Sequence, residues 1–191
     1  MKGKNIKNES FPSIEVIDLF CGIGGLSFGM KSKGFNILAG YDLDATCRYA
    51  YETNNNAKFI YKDIKTVSPD EIRTAYGKGS IRVLAGCAPC QPFSSYAFKN
   101  KKKDPNKYDL LYEFGRLVKA VHPDIVTMEN VAQILSFKEK PVLSDFENLL
   151  KNEGYHVWVN PVYCPDYGIP QTRKRLVLLL SLIHISEPTR P

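Results

Sequence analysis

A cysteine held between prolines is the residue in this chain with the clearest chemical potential. Cys90 lies in the segment Pro89-Cys90-Gln91-Pro92, directly after an apolar run that we predict to be a β-strand. Because proline fixes its φ angle at about −65°, the two prolines hold the thiol in a defined direction. A thiol placed in this way is a candidate nucleophile. Cys87 and Cys90 also form a Cys-x-x-Cys pair, which leaves a redox centre or a zinc site as alternatives.

Acidic side chains and a glycine-rich turn mark a second group of residues. The sequence DLFCGIGG at residues 18–25 closes the first predicted strand, and Asp42 and Asp63 lie at the ends of the next two. Glycines let the backbone approach a ligand closely, and an acid after the second strand can accept hydrogen bonds from a ribose. Ser27 stands where a dinucleotide fingerprint has its third glycine, which weakens the pyrophosphate interpretation. The pattern predicts a nucleoside cofactor site.

Alternating apolar runs and amphipathic segments position these residues. The alternation predicts a doubly wound, mostly parallel α/β sheet with helices on both faces, and ligands in such sheets bind beyond the carboxyl ends of the strands. The predicted strands are Ile14 to Phe20, Asn36 to Tyr41, Lys58 to Tyr61, Ile81 to Gly86, Ile125 to Met128, Tyr155 to Val162 and Arg175 to Leu180. The predicted helices are Gly25 to Lys33, Ala45 to Asn54, Ser68 to Tyr76, Tyr108 to Val121 and Val142 to Glu153.

Length and composition indicate one intracellular domain. The 191 residues and the hydrophobic content of 43% suit a single globular core. No apolar run approaches the roughly 20 residues that cross a bilayer, so we expect a cytoplasmic protein without a membrane partner. The net charge of +6 favours a polyanionic partner without deciding it. Five scattered cysteines indicate a reducing compartment rather than a disulfide framework.

The domain organisation that we predict has three parts. Residues 1–13 form an N-terminal segment, and residues 14–181 form the catalytic domain. Residues 182–191 break the alternating pattern with two prolines and no partner element, so we expect a non-native tail there.

Four motifs give the chain a resemblance to the cytosine-C5 DNA methyltransferase family. They are D-L-F-x-G-x-G-G, P-C-Q, E-N-V and Q-x-R-x-R, which begin at Asp18, Pro89, Glu129 and Gln171. The resemblance covers residues 15–181, and the D/N-P-P-Y/F motif of amino methyltransferases is absent. It implies a Rossmann-like class I fold and S-adenosylmethionine-dependent methylation of cytosine C5 in DNA, as in a restriction-modification system.

The resemblance also implies a cofactor role for each matched position. Asp42 is expected to accept hydrogen bonds from the ribose, Leu43 to lie against the adenine, and Asp63 to accept from its amino group. The other expected cofactor residues are Asp18, Phe20, Gly22, Gly24, Gly25, Ile64 and Pro89. No metal is expected.

The resemblance also implies catalytic roles, and the chemistry of cytosine explains why these residue types are needed. The resemblance implies that Cys90 adds to C6, that Glu129 binds N3 and the exocyclic amine, and that Arg175 donates to O2. Addition makes C5 nucleophilic, and a carboxyl group and a guanidinium stabilise the charge that develops on N3 and O2. Arg173 either supports Glu129 or serves as a structural ion-pair partner. The expected substrate contacts are Gln91, Ser94 and Asn130.

Double-stranded DNA is the expected partner, with the target base flipped out of the duplex. The run Lys99 to Lys107 contains five lysines, which form either a solvated loop or phosphate contacts. Where relatives often have Ser-Arg-Gly, this chain has Asn106-Lys107-Tyr108, so the residue that supports loop closure is left open.

Several alternatives stay open. A tRNA cytosine-C5 methyltransferase shares the P-C-Q-P-F sequence, and a nicotinamide-dependent oxidoreductase shares the predicted sheet. The region that selects the DNA sequence should follow Leu180 and does not. We therefore expect an incomplete chain that is inactive alone, either truncated or the first of two polypeptides.

Overall fold

The computed structural model describes residues 12–89, 109–136 and 141–183 of the chain. Within these ranges the strands are β1 (Ile14–Leu19), β2 (Asn36–Asp42), β3 (Lys58–Tyr61), β4 (Ile81–Gly86), β5 (Ile125–Val131), β6 (His156–Tyr163) and β7 (Lys174–Ser181). The helices are α1 (Gly25–Lys31), α2 (Arg48–Asn55), α3 (Pro69–Ala75), α4 (Asp109–Val121) and α5 (Val142–Asn152). Each lies within a few residues of a predicted element.

One seven-stranded sheet organises the described residues, in the order β3-β2-β1-β4-β5-β7-β6. The pairs from β3 through β5 are parallel, whereas β7 is antiparallel to both β5 and β6. The prediction of a doubly wound, mostly parallel sheet is confirmed. A βα pattern does not reveal that β7 reverses direction, since a strand has the same hydrophobic pattern in either direction.

Helices cover the sheet on both faces, which explains why its central strands are apolar throughout. On one face Leu26 and Met30 of α1 pack against Val16. On the other face Phe114 of α4 and Phe146 of α5 stack with their ring centroids 5.6 Å apart. Successive residues of a strand therefore pack into apolar cores on opposite faces of the sheet, and helices cover the strands on both faces.

Two element boundaries differ from the sequence prediction. Glu129 and Asn130 lie inside β5 rather than after it, because β5 continues to pair with β7 as far as Val131. The predicted helix from Ala45 divides into a 3₁₀ turn and α2, and Asp44 caps that turn by accepting from the Thr46 amide at 3.0 Å.

The predicted start of α3 is confirmed. The Ser68 hydroxyl accepts from the Asp70 amide at 3.3 Å, and Pro69 is the first helical residue. This is the capping arrangement expected of serine followed by proline.

Tyr51 of α2 is fully buried against the backbone of β2. A Cβ atom at Gly40 would overlap the Tyr51 ring and its hydroxyl. Glycine at this strand position therefore has a packing reason, since only a bare Cα lets the ring approach so closely.

Replacing Gly40 by alanine should lower the free energy of unfolding by about 1–3 kcal/mol, the usual range for an overpacked core. The matched control is Gly29→Ala in α1, where an added Cβ meets no atom within 4 Å. That change should be neutral or stabilise by up to about 1 kcal/mol through helix propensity. Urea denaturation of both variants measures the difference, and equal stabilities would contradict the packing argument.

Candidate active site

A pocket of about 160 Å³ lies beyond the carboxyl ends of β1 to β4. We call it the strand-end pocket. It includes six of the ten residues predicted to bind a cofactor, together with three that were not predicted. Its lining residues are Phe20, Asp42, Leu43, Lys62, Asp63, Ile64, Cys87, Pro89 and Leu110.

The glycine turn reaches the pocket through Phe20, whereas Gly22, Gly24 and Gly25 are not among the lining residues. Phe20, Gly22 and Gly24 all have left-handed φ angles, of 60°, 51° and 88° respectively. A Cβ at Gly24 would overlap the side-chain amide of Asn55, which donates to the Gly24 carbonyl at 3.3 Å. Both the backbone angle and the close approach of α2 therefore require glycine at this position. Gly25 begins α1.

Asp42 ties the glycine turn to the end of β2. Its Oδ2 accepts from the Gly22 amide at 2.7 Å, and its Oδ1 accepts from the Asp44 amide at 2.9 Å. A carboxylate oxygen can accept two hydrogen bonds, so each oxygen keeps one acceptor position beside these contacts. Next to Asp42, Leu43 presents an apolar side chain that is 55% exposed.

The loop after β3 supplies the opposite wall. Asp63 caps a 3₁₀ turn at Ile64–Thr66 by accepting from the Lys65 amide at 3.0 Å. Arg116 of α4 donates to the carbonyls of Ile64 and Val67 at 3.2 and 3.3 Å. The guanidinium thereby holds this wall against the helix that carries Leu110.

Asp18, which was predicted to bind the cofactor, lies apart from the pocket lining. It is fully buried inside β1 and does not line the strand-end pocket. Its Oδ2 accepts from the Ser27 hydroxyl at 2.7 Å, and that hydroxyl lies 3.1 Å from the Tyr51 hydroxyl. Among the described residues its Oδ1 has no hydrogen-bond partner. Burial, and to a lesser degree the charge of Asp42, raises the pKa of Asp18 to about 6.

Cys87 lines the pocket but is a poor nucleophile. Burial, together with the nearby charges of Asp18 and Glu129, raises the pKa of its thiol to about 12. The thiolate is the reactive form of cysteine, so this thiol is inert at neutral pH. Cys90, Gln91 and Ser94 lie outside the described residues, as does the lysine run at 99–107.

A close ion pair joins β5 and β7. The Arg175 Nε donates to Glu129 Oε1 at 2.7 Å, and both side chains remain partly exposed at 27% and 36%. Arg175 lies opposite Val131 in the ladder and thus diagonally across from Glu129. The antiparallel direction of β7 is what brings these two side chains together.

Asn130 and Arg173 differ from Glu129 and Arg175 in their surroundings. Asn130 is only 3% exposed, and its amide donates to the Ala88 carbonyl at 3.4 Å. It therefore braces the segment that leads to Pro89, rather than presenting its side chain at the surface. Arg173 is exposed, and within the described chain the ion pair of Glu129 is made by Arg175.

Sequence reasoning missed the residues that support the site from below. Tyr51 and Asn55 lie four residues apart on α2 and form a buried polar face. This spacing places both side chains on one side of a helix and could have been recognised in the sequence. Ser27 was visible only as a departure from the dinucleotide fingerprint. Arg116 and Leu110 gave no signal, because Arg116 donates to carbonyls 52 and 49 positions away and Leu110 reaches the pocket only through tertiary packing.

Two features are absent from the described ranges. These ranges contain no cluster of three or more His, Cys, Asp or Glu side chains that could hold a metal ion. No helix among them is both long and apolar enough to cross a membrane.

Comparison with known proteins decides the family. The family model for C-5 cytosine-specific DNA methylase matches residues 14–184. The chain belongs to this family. The Type II methylase M.HgiDII of Herpetosiphon aurantiacus is 47% identical over 177 residues, which cover 91% of this chain and 49% of that protein. M.DdeI of Desulfomicrobium norvegicum is 34% identical, over 87% of this chain and 40% of that protein.

Solved structures agree with the methylase fold. A prophage-encoded protein of E. coli superposes with a TM-score of 0.77 at 26% identity, covering 92% of this chain and 49% of that one. The S. pombe Dnmt2 methyltransferase superposes with a TM-score of 0.72 at 20% identity, covering 92% and 51%, and shows the fold alone. The predicted family and the Rossmann-like methyltransferase fold are confirmed, and the oxidoreductase alternative is excluded. The chain spans about half the length of the curated relatives it matches.

Asp18→Asn should remove a pH dependence from the stability of this methylase chain. Burial raises the pKa of Asp18 from 3.8 to about 6, so the folded chain holds this proton more tightly than the unfolded chain does. The free energy of unfolding should therefore fall as pH rises between those values, by up to about 3 kcal/mol, and level off above pH 6.

Urea denaturation from pH 4 to pH 7 measures this slope. Ser27→Ala is the matched control, because it removes a hydrogen bond that lowers the pKa of Asp18 but keeps the carboxyl group. That variant should retain the slope. The same slope in wild type and Asp18→Asn would show that Asp18 does not cause it.

Proposed function

We propose that this chain is the catalytic core of an S-adenosylmethionine-dependent DNA cytosine-C5 methyltransferase of a restriction-modification system. The observation that carries the proposal is the position of the Glu129–Arg175 pair relative to the strand-end pocket. The segment from Cys87 to Pro89 lines the pocket and is held by Asn130, the neighbour of Glu129 in β5. A cofactor in the pocket and a base at the ion pair would thus share one edge of the sheet, with Cys90 next to Pro89 in the chain.

The pocket residues suit an adenosine. The two acceptor positions left on Asp42 suit the two ribose hydroxyls, and Asp63 suits the adenine amino group. Phe20, Leu43 and Ile64 offer apolar surface for the ring. The volume of about 160 Å³ is below the roughly 300–1,000 Å³ usual for small-molecule sites, so these walls enclose part of such a cofactor. When bound, S-adenosylmethionine supplies a methyl group activated by a sulfonium.

The catalytic residues act on the base. We assign the Cys90 thiolate to addition at C6, which makes C5 nucleophilic, and Glu129 to N3 and the exocyclic amine. Arg175 donates to O2, where negative charge develops, and its ion pair with Glu129 holds both groups in place before the base arrives. After methylation, loss of the C5 proton expels the thiolate and restores the aromatic ring.

The proposed substrate is double-stranded DNA inside a bacterial cell. The names of the relatives, which are Type II methylases and methyltransferases, support this assignment. Exposed Arg173 and Lys174 lie at the base-binding edge of β7, and we assign Lys99 to Lys107 to phosphate contacts. We assign sequence selection to the part of the relatives that this chain does not span, or to a second polypeptide that corresponds to that part.

Cys90→Ser should abolish methyl transfer, whereas Cys87→Ser should keep most of it. The expected loss for Cys90→Ser is roughly 10³-fold or more, as for removal of other enzymatic nucleophiles. Cys87 serves as the matched control, because its buried thiol has a pKa raised to about 12. Tritiated methyl incorporation is measured on duplex DNA and on tRNA, with the chain complemented by the downstream half of a relative. Equal losses would indicate a dithiol centre, and transfer to tRNA alone would replace the DNA assignment.

Asp42→Asn should weaken S-adenosylmethionine binding by about tenfold, the usual effect of one charge-assisted hydrogen bond. Asp44→Asn is the control, since Asp44 caps the adjacent 3₁₀ turn and does not line the pocket. Isothermal titration calorimetry measures both affinities. If Asp44→Asn is as harmful as Asp42→Asn, the loss reflects the loop rather than a ribose contact.

A further inference from the structure

Two carboxylates line the strand-end pocket. These are Asp42 and Asp63, and Lys62 is the one cation among the described residues that line the pocket. The Lys62 ammonium is paired with Glu71 at 2.5 Å, and Glu71 also accepts from the Tyr41 hydroxyl. Because Lys62 is neutralised by its own partner, it does not offset the two carboxylates.

A third carboxylate lies in β1, two residues before Phe20 of the pocket lining. Asp18 is fully buried, and one of its oxygens accepts no hydrogen bond from the described residues. Its charge acts on Cys21 in the glycine turn, on Tyr51 in α2 and on Cys87 after β4, while Asp42 at the end of β2 acts on Asp18. Ser27 is its contact from α1. None of these groups carries a positive charge.

A buried carboxylate without a cation is costly, since desolvation disfavours its charge and no ion pair offsets that cost. The cost falls when a cationic ligand enters a nearby pocket. Two of the groups in electrostatic contact with Asp18, namely Asp42 and Cys87, line the strand-end pocket. The position of Asp18 therefore lets it act on the charge of a ligand without touching it.

We propose that Asp18 is a specificity-determining residue that makes this pocket bind the cationic sulfonium donor more tightly than the neutral thioether product. The inference rests on the cofactor assignment above. Methyl transfer to carbon breaks the sulfur–methyl bond and leaves its electron pair on sulfur, so the product has one positive charge fewer than the donor. The buried carboxylate attracts the sulfonium charge that only the donor carries, which favours exchange of spent product for fresh donor.

The preference depends on pH with a definite sign. In the free chain burial raises the pKa of Asp18 to about 6, so the carboxylate loses its charge as pH falls through that value. The ratio of the product Kd to the donor Kd should therefore be high at pH 7.5 and fall by about tenfold by pH 5. A bound cation stabilises the ionised form, so donor binding should lower the pKa of Asp18.

The test is calorimetry of the 191-residue chain with three ligands that differ only at the central atom. They are S-adenosylmethionine, S-adenosylhomocysteine and a cationic analogue. In the analogue a carbon atom replaces the sulfur, and a protonated amino group on that carbon replaces the methyl group. The adenosine and amino-acid ends are common to all three, so their contributions cancel in the ratio. The amine analogue should follow the donor, and both cationic ligands should lose their advantage over the thioether at pH 5.

Asp18→Asn should lower the ratio about tenfold at pH 7.5 and remove its pH dependence. Ser27→Ala keeps the carboxylate and should keep the preference for cations, which separates charge from packing. If Asp18→Asn does not fold, judged by circular dichroism, the pH titration of the wild-type chain decides. Binding of none of the three ligands would overturn the cofactor assignment itself. Binding of all three with a ratio that changes neither with pH nor with Asp18→Asn would overturn this inference alone.

Discussion

The packing of Tyr51 against the glycine backbone sets the geometry on which the rest of the site depends. Its ring occupies the space where side chains at Gly24 and Gly40 would lie, so α2 approaches both the glycine turn and β2 closely. Its hydroxyl is 3.1 Å from that of Ser27, which in turn holds Asp18. The same contact therefore fixes the turn above the sheet and the buried carboxylate within it. The Gly22 amide of the turn donates to Asp42, so the position of the turn also fixes this wall of the pocket.

The second constraint is the direction of β7. Because β7 runs antiparallel beside β5, Arg175 enters the sheet at the edge where β5 ends, and its guanidinium lies 2.7 Å from Glu129. A parallel strand in that place would carry residue 175 to the opposite edge. The reversal also extends β5 to Val131, which buries Asn130 and directs its amide to the segment before Pro89. The antiparallel β5–β7 pair thus organises the proposed base-binding groups and the approach to Cys90.

These two constraints give the site distinct electrostatic halves. The proposed cofactor half is acidic, with Asp42 and Asp63 lining the pocket and Asp18 buried in β1, whereas Lys62 is held by Glu71. The proposed base half has a paired carboxylate and guanidinium, with Arg173 and Lys174 exposed beside them. An acidic half suits a cationic donor, and a basic rim suits a polyanion. The separation follows from the fold, since different strands supply the two halves.

The sequence by itself determined the family, the order of the elements and the positions of most pocket residues. It could do so because motifs such as DLFCGIGG and short apolar strands are local, and the carboxyl ends of parallel strands meet at one edge. Asp42 and Asp63 were predicted from their places at strand ends, and Phe20, Leu43, Ile64 and Pro89 from the family resemblance. All six lie around one pocket. Sequence reasoning did not find Asp18 buried, Asn130 acting as a brace, β7 reversed, or Tyr51 and Arg116 as supports. Those features arise from contacts between residues far apart in the chain, and only the tertiary structure decides which buried groups meet and which are left without a partner.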